Sequence, residues 1–303
     1  MPELRNPKVT IGIPTFRRPE MLSRALDSVA RQDYQPLEVI VADNATEGDE
    51  VAAVIAAFRG RIDGLRYVRH EKNIGAVDNF AFCLDEATGD FFMWLADDDE
   101  LSANSVAALA RLLAGDSSVV TVVPYWRLMR GPDTGWVVEQ RAYESHSALR
   151  RVLRYVWRSN DAFYYGLHRR AELLKCRFHP FVWPNASLGA DAAYPYLLTL
   201  VLAGRIVSVR DPRVQWINHA YSEKSYANPE PFLCYAPKHV LRRFNLHMVY
   251  LVQVYRSLGI LTSLAVVPIS TASLAIEFAT GFVRKLRRLL GFQVEAMPAA
   301  PKR

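Results

Sequence analysis

Residues 91–101 read FFMWLADDDEL, a run of bulky apolar side chains that ends abruptly in four consecutive acids. The apolar run is typical of a strand that is buried on both faces, as in a parallel sheet covered by helices on each side. In open α/β sheets, ligands bind just beyond the carboxyl ends of the strands, and the acids lie at such an end. The stretch therefore predicts a fold class and the position of a site.

The acids themselves indicate a bound cation. Asp97, Asp98 and Asp99 would repel one another unless a cation lies among them, and hard carboxylate oxygens suit Mg²⁺ or Mn²⁺. Asp97 and Asp99 would point the same way if the strand geometry continues. The alternative is a solvated acidic turn before a helix that begins near Ser102, because acids are favoured at helix N-termini.

Length and composition are those of a globular protein. The 303 residues can bury a large core, with 50% hydrophobic and 22% charged residues. A net charge of +6 suits an anionic partner, such as a nucleotide diphosphate or an acidic membrane surface, and we find no nucleic-acid-binding signature. Three widely spaced cysteines without metal-binding spacing indicate a reducing compartment. Because no apolar signal segment precedes the first strand, we expect a cytoplasmic location.

The first 124 residues alternate β-rich runs with segments of helical periodicity. This alternation predicts an α/β fold with a doubly wound, mostly parallel sheet flanked by helices. Besides the run before the acids, strands are predicted at 8–14, 37–42, 65–70 and 119–124. Helices are predicted from Pro19, over 51–58, within 73–84 and over 105–113.

Several short motifs follow one another in a fixed order over the first third of the chain. They are VTIGIPTF at 9–16, SVARQ at 28–32, EVIVADN at 38–44, NIG at 73–75, Asn79 and the three aspartates at 97–99. In order and spacing this set resembles family 2 glycosyltransferases. The resemblance implies a nucleotide-sugar-binding fold of the GT-A type and inversion at the anomeric carbon of the sugar.

The resemblance also implies which residues bind the donor nucleotide. At the ends of the first two strands and in the following loop they are Pro14, Thr15, Phe16, Arg17, Asp43 and Asn73. Asp43 would accept a hydrogen bond from a pyrimidine N3–H of a UDP- or dTDP-linked sugar; the alternative is a loop acid in an Asx-type turn. Asp97 or Asp98 would contact the ribose. Arg17 and its neighbour Arg18 would meet phosphates, although exposed arginines usually have no specific role.

The implied metal ligands are Asp99, Asp97 and His219. Asp99 would hold Mg²⁺ or Mn²⁺ against the diphosphate, where the ion neutralises charge on the departing nucleotide. In related enzymes a histidine that follows a late strand reaches the metal or the diphosphate. The corresponding β-like run here is 214–218, and His219 comes directly after it. A lone histidine is more often a structural hydrogen-bonding group, and that alternative stays open.

Asp191 is the catalytic base that the resemblance implies. Many family members carry Glu-Asp at this point, whereas this chain has Ala190-Asp191 before an apolar helix at 194–202. The acceptor hydroxyl must lose a proton as it attacks, and a positioned base contributes about 10²–10⁴-fold. The alternative is an N-cap for the helix, a position that favours Asp.

We expect a GT-A domain over 1–236, with a nucleotide-sugar-binding half at 1–124 and an acceptor half at 125–236. Within the acceptor half, 148–158 read as a basic helix whose arginines face solvent or, as a second choice, anionic lipid. Residues 163–173 (FYYGLHRRAEL) resemble the family's acceptor-side strand, which ends in paired arginines.

A helical extension is predicted at 237–290, followed by a disordered tail at 291–303. Residues 257–276 carry no charge and precede the basic cluster Arg284, Lys285, Arg287 and Arg288. A membrane-spanning helix, a helix in the interface and a core helix are the alternatives, and Pro268 with several Ser and Thr residues dilutes the apolarity. We favour shallow association with an anionic membrane surface, at the inner face of the plasma membrane.

These expectations favour an inverting, metal-dependent glycosyltransferase with a nucleotide-diphosphate donor and a hydroxyl acceptor on a glycan or lipid-linked precursor. The process would be the synthesis of a surface glycan or a lipid-linked oligosaccharide. One alternative is a non-catalytic, nucleotide-sugar-binding relative that acts as a membrane-bound scaffold, which the change at Ala190 keeps open. A sugar nucleotidyltransferase would need a Gly-rich basic loop after the first strand, where this chain has PTFR at 14–17.

Overall fold

The structure is a computed structural model that describes residues 6–129, 134–157, 162–176, 193–219 and 237–289. The strands of these ranges are β1 (Val9–Thr15), β2 (Leu37–Asp43), β3 (Leu65–Arg69), β4 (Phe91–Trp94), β5 (Asp99–Leu101), β6 (Val119–Val123), β7 (Tyr125–Met129), β8 (Gly135–Val138), β9 (Leu167–Arg169), β10 (Arg205–Ser208) and β11 (Gln215–Asn218). The helices are α1 (Pro19–Ala30), α2 (Glu50–Phe58), α3 (Ala76–Asp85), α4 (Ser105–Gly115), α5 (Ala148–Trp157), α6 (Arg170–Leu173), α7 (Ala193–Ala203), α8 (Pro237–Leu258) and α9 (Ile260–Leu289).

The central sheet has seven strands in the order β10-β6-β9-β4-β1-β2-β3. β1 pairs in parallel with both β2 and β4, and every residue of β1 and β2 is buried. Only β9 among these strands runs antiparallel to its neighbours, β4 and β6. The predicted mostly parallel sheet with flanking helices is therefore confirmed. β9 and β10 come from the predicted acceptor half, so both halves contribute to one sheet.

Side-chain alternation divides the core into two clusters, one on each face of the sheet. In β2, Val39 and Val41 face the cluster beneath α1, α2 and α4, whereas Ile40 and Ala42 face the cluster beneath α3, α5, α7 and the C-terminal helices. Gly12 in β1 lies where α3 comes close, since a Cβ there would be 2.6 Å from the Cβ of Cys83. The sequence predicts this arrangement because strands buried on both faces lack polar alternation.

α1 shows how local signals set a helix. Pro19 occupies the start of the helix, where its fixed φ is helical and its missing N–H is not needed. Leu22, Ala25, Leu26 and Val29 recur at helical spacing and are all buried. The helix therefore begins at the predicted residue and packs its apolar stripe on the sheet.

A second, smaller sheet has the order β5-β11-β7-β8. β11 runs antiparallel to β5 and parallel to β7, and β7 and β8 form an antiparallel pair. The sequence did not indicate β5, because the last acids form a separate strand only through pairing with β11. Asp97 and Asp99 are 6% and 3% exposed, so the alternative of a solvated acidic turn is wrong.

The prediction that the arginines of α5 face solvent is wrong for Arg151, which is buried. Its guanidinium donates to the carbonyls of Val201 at 2.8 Å and Leu202 at 3.1 Å, and also to those of Ser145 and His146. The last carbonyls of a helix have no partner within the helix, and α5 packs on α7. Arg151 is therefore buried because it satisfies the end of α7.

The C-terminal extension consists of α8 and α9, which meet at Gly259 with φ of +85°. In α9, Val266 is fully buried and Ser273 donates to the carbonyl of Trp157, so part of this helix packs on the domain. The described helices include none that is both long and apolar enough to cross a membrane. The predicted tail at 291–303 lies outside the described residues.

Candidate active site

The carboxyl ends of β1, β2 and β4 bring several predicted donor-site residues to one edge of the sheet. Thr15 and Asp43 are register partners at the ends of β1 and β2, next to Pro14. The Thr15 hydroxyl donates to Asp97 Oδ2 at 2.8 Å, and both side chains are buried. Residues that are more than 80 positions apart in the chain thus meet where the sequence predicts a ligand.

Arg18, rather than Arg17, is the arginine at the acids. Its Nη1 lies 3.2 Å from Asp97 Oδ1 and 3.1 Å from Asp98 Oδ2. Arg17 has a positive φ of 58°, stacks over the ring of Phe16 and pairs with an exposed acid of the next loop. The predicted contact of Arg17 with donor phosphates stays a prediction, and Arg18 is the cation that neutralises the acidic pair here.

Both oxygens of Asp43 have hydrogen-bond partners. Oδ1 accepts the backbone N–H of Thr46 at 3.0 Å, a turn contact of the kind that the alternative for Asp43 expects. Oδ2 accepts the hydroxyl of Tyr67 at 2.9 Å. Burial, with this hydrogen bond, raises the pKa of Tyr67 to about 12, so Tyr67 remains a donor. Each carboxylate oxygen has a second lone pair, so Asp43 can still accept an N–H from a base.

The loop between β3 and α3 is fastened to the end of β2 by asparagine side chains. Asn44 donates to Asn73 Oδ1 at 3.0 Å and accepts the N–H of Ile74 at 2.8 Å. Asn73 Oδ1 also accepts the N–H of Gly75, whose φ of +88° favours glycine. Asn79 donates to a carbonyl of β2 at 2.9 Å. The side-chain carbonyl of Asn73 thus holds the loop, and its contact with a donor nucleotide stays a prediction.

Asp99 is a buried carboxylate, and one of its two oxygens has no hydrogen-bond partner in the described residues. Its Oδ2 accepts the indole N–H of Trp216 at 2.7 Å. Its Oδ1 is buried and has no hydrogen-bond partner in the described part of the chain. Burial and the charge of Asp98 raise the pKa of Asp99 to about 7, while hydrogen bonds from Trp216, the backbone N–H of His219 and the Asn218 side chain oppose that rise.

The imidazole ring of His219 lies against Glu100, whereas its backbone N–H is among the groups that contact Asp99. The register pairs Asn218 with Asp99 and Ile217 with Glu100, so alternation places the residue after Asn218 on the face of Glu100. His219 Nε2 is 2.7 Å from Glu100 Oε1, an ion-pair distance without hydrogen-bond alignment. Within the described ranges, no three acidic, histidine or cysteine side chains form a group that could hold a metal. The role of His219 as a metal ligand stays a prediction.

The residues present nevertheless fit a divalent cation that the substrate helps to hold. Mg²⁺ is usually bound through one or two carboxylates together with substrate phosphates and waters, so it needs no complete protein cage. The unpartnered Oδ1 of Asp99 is a hard oxygen ligand of this kind. The oxygens of Asp97 already contact Thr15 and Arg18, so Asp99 is the better-placed ligand.

The predicted base, Asp191, lies outside the described residues. Of the paired arginines in the predicted acceptor-side strand, Arg169 donates to carbonyls at the end of α4 and the start of β6, so its role is structural. Sequence reasoning missed Trp216, Tyr67 and Asn44. Asn44 belongs to the motif EVIVADN at 38–44, whereas no local sequence pattern indicates a role for Trp216 or Tyr67.

The comparisons with known proteins agree with this geometry. The sequence model of the family described as Glycosyl transferase family 2 matches residues 10–181, and the chain belongs to this family. The predicted family is therefore confirmed.

Two curated relatives are enzymes of glycan synthesis by name. The chain is 33% identical over 104 residues to the GalNAc(5)-diNAcBac-PP-undecaprenol beta-1,3-glucosyltransferase of Campylobacter jejuni, over 34% of this chain and 33% of that protein. It is 35% identical over 102 residues to galactofuranosyltransferase GlfT1 of Mycobacterium tuberculosis, over 33% of each chain. The matched segment thus spans about a third of the length of these relatives.

Among solved structures, the fold is similar to that of residues 1–349 of Staphylococcus aureus TarS. The TM-score is 0.64 at 15% sequence identity, and the match covers 96% of this chain and 76% of that one. This likeness confirms the predicted fold of the GT-A type.

Proposed function

We propose that the protein is an inverting, metal-dependent transferase that moves a hexosyl or deoxyhexosyl unit from a nucleotide-diphosphate sugar to a hydroxyl acceptor. Membership of family 2 supports glycosyl transfer. The single observation that carries the donor and metal site is Asp99, whose buried Oδ1 has no partner in the described residues. Asp99 is the first residue of β5, just beyond the end of β4 and the sheet edge at which Thr15, Asp43 and Asp97 lie.

We propose a UDP- or dTDP-linked donor, because Asp43 offers acceptor lone pairs at the end of β2, where a base N3–H would arrive. Asp97 or Asp98, both of which pair with Arg18, would contact the ribose. The S. aureus protein TarS, which shares the fold, has been solved with UDP and with UDP-GlcNAc.

Asp99 would hold Mg²⁺ or Mn²⁺ through Oδ1, beside the diphosphate. The bound ion would supply Lewis-acid chemistry by neutralising charge on the departing nucleotide. Asp99 is fixed by its neighbours in β11, so its carboxylate need not reorganise when the donor arrives.

We propose that Asp191 removes the proton of the acceptor hydroxyl. The hydroxyl oxygen then attacks the anomeric carbon from the face opposite the nucleotide, the bond to the diphosphate breaks, and the proton remains on the Asp191 carboxylate. Attack from the opposite face inverts the configuration at that carbon. One base suffices for this single displacement, so the loss of the neighbouring Glu at Ala190 is compatible with turnover.

A thermal-shift screen of nucleotide sugars with and without Mn²⁺ tests this function. A ligand that binds only the folded state stabilises it by about 2.7 kcal/mol at a concentration of 100 Kd. We expect UDP- or dTDP-sugars to raise Tm, and to raise it more with Mn²⁺. If no nucleotide sugar stabilises the protein, the proposal fails. Mn²⁺-dependent binding without transfer to any hydroxyl acceptor would favour a non-catalytic scaffold.

We further propose that residues 1–236 form the catalytic domain and that the extension at 237–290 docks on the cytoplasmic face of an anionic membrane. The start of α9 exposes Ile260, Leu261 and Leu264, which are 62%, 81% and 60% exposed. The basic residues at 284–288 follow in the same helix. A lipid-linked acceptor for surface glycan synthesis would be presented at such a surface.

Replacing Ile260, Leu261 and Leu264 together with serine should weaken binding to anionic vesicles by at least tenfold. Fully burying one such side chain contributes about 1.5–3 kcal/mol, and each tenfold in affinity is about 1.4 kcal/mol. Co-sedimentation with phosphatidylglycerol vesicles measures the change. Truncation before α9 is a poorer test, because it would remove the fully buried Val266 from the core.

The matched control replaces Met21 and Leu112 with serine, since both are also exposed apolar residues but lie on α1 and α4. This control should sediment like the wild type. Equal sedimentation of wild type and triple variant, or a wild type that does not bind vesicles, would contradict the docking proposal.

A further inference from the structure

Trp216 connects the candidate metal ligand to the acceptor side of the protein. It lies in β11 and is fully buried, and its Nε1 is 2.7 Å from Asp99 Oδ2. Its register neighbours are Leu101 in β5 and Trp126 in β7, and the ring of Tyr165 lies 4.8 Å away. Since the indole is enclosed by neighbouring strands and by an aromatic ring, its N–H has a fixed direction.

The direction of this N–H decides which oxygen of Asp99 is available. An indole N–H is a donor only, so it permanently orients the acceptor that it meets. Oδ2 is the oxygen that Trp216 holds, and Oδ1 is the one without a partner in the described residues. The two oxygens of a carboxylate are equivalent, so the hydrogen bond fixes the orientation of the group; turning it out of this orientation would leave the indole N–H unpaired, which costs about 1–3 kcal/mol.

A neighbouring tryptophan of the same sheet does not share the hydrogen bond of Trp216. Trp126 is the register partner of Trp216 in the next strand, and its Nε1 is buried without a partner in the described part of the chain. Two tryptophans therefore lie side by side in the same sheet, and only one of them donates to the candidate metal ligand.

We propose that Trp216 is a positioning residue whose indole N–H holds Oδ2 of Asp99 and so directs Oδ1 toward the divalent cation. The inference rests on the proposed function, since it needs Asp99 to bind the metal. Removal of a residue that orients a metal ligand typically lowers the metal affinity by about 10–100-fold. Trp216 would thus set the metal affinity without touching metal or donor.

A purely structural hydrogen bond is the competing account, and it gives a different result. On that account, removing the N–H lowers the stability of the apo protein and leaves the Mn²⁺ affinity of the folded protein unchanged. Metal affinity, measured on folded protein, therefore separates the two accounts.

The test compares Trp216→Phe with Trp126→Phe. Electron paramagnetic resonance of free Mn²⁺, with UDP present as the diphosphate, measures the dissociation constant of Mn²⁺ for each protein. We expect Trp216→Phe to weaken Mn²⁺ binding by about 10–100-fold and Trp126→Phe to stay within about twofold of the wild type. Unchanged Mn²⁺ affinity in folded Trp216→Phe would overturn the inference.

Two further measurements keep the result unambiguous. If Trp216→Phe does not fold, benzothienylalanine at position 216 keeps the shape of the indole and replaces its N–H with sulfur, and the same loss of affinity is expected.

Asp99→Asn tests the metal site itself. If wild type binds Mn²⁺, Asp99→Asn does not, and the position-216 variant binds normally, only this inference fails. If wild type binds no Mn²⁺, the proposed metal dependence fails and this inference fails with it.

Discussion

Asp99→Asn is expected to abolish Mn²⁺-dependent donor binding and to lower transfer by at least about 100-fold, while the protein still folds. Asparagine keeps the size of the side chain, and its single oxygen can still accept the indole N–H of Trp216. Its NH₂ group would then occupy the position of Oδ1, and an amide N–H repels a cation. Loss of a metal that supplies several kcal/mol of charge stabilisation corresponds to a rate loss of this size.

Calorimetry with Mn²⁺ and UDP, together with initial rates of transfer, measures this effect. Thermal unfolding without metal is the check on folding. The apo variant should still unfold in one cooperative transition, because asparagine keeps the size of the side chain and its oxygen can accept the indole N–H of Trp216. Asp49→Asn is the control, since that side chain is 99% exposed, and it should behave like the wild type. Normal Mn²⁺ dependence in Asp99→Asn would remove Asp99 from the metal site.

Asp191→Asn is expected to lower transfer by about 10²–10⁴-fold and to leave donor and Mn²⁺ affinity within about twofold. An amide cannot take the proton of the acceptor hydroxyl, whereas the donor site that we propose consists of other residues, at the ends of β1, β2 and β4. The turnover number should therefore fall while donor binding persists.

Rates at saturating donor, with donor dissociation constants from calorimetry, separate the two quantities for Asp191→Asn. Asp211→Asn is a suitable control because this acid also belongs to the predicted acceptor half and, among the described residues, pairs with its near neighbour Arg213 at 2.8 Å. A collapse of donor affinity in Asp191→Asn would show instead that Asp191 belongs to the metal site or to the fold.

The parts of the fold that could be predicted from the sequence are those that local patterns determine. β1, β2 and β4 are apolar runs that no other element type fits, and α1 has a proline at its start and an apolar stripe. Because ligands bind at the carboxyl ends of the strands in such a sheet, these elements also predict the position of the candidate site.

The parts that could not be predicted depend on distant partners or on backbone direction. β5 exists because β11 pairs with it, and the two side chains that join them, Asp99 and Trp216, are 117 residues apart. Arg17 and Arg18 are identical in type, yet Arg17, with its positive φ, stacks on Phe16, whereas Arg18 pairs with the acids. Arg151 is basic and lies on a basic helix, yet it is buried because the end of α7 needs donors.

The antiparallel strand β9 also has a consequence for the order in which the chain can assemble. It lies between β4 and β6, and both neighbours pair with it at His168, so β6 cannot close the sheet against β4 directly. When a ribosome has made only the first 124 residues, β4 has one unpaired edge of backbone N–H and C=O groups. Exposed edges of this kind recruit strands from other chains. Residues 1–124 alone would therefore leave this edge of β4 exposed until β9, which lies more than 40 residues after β6, has been made.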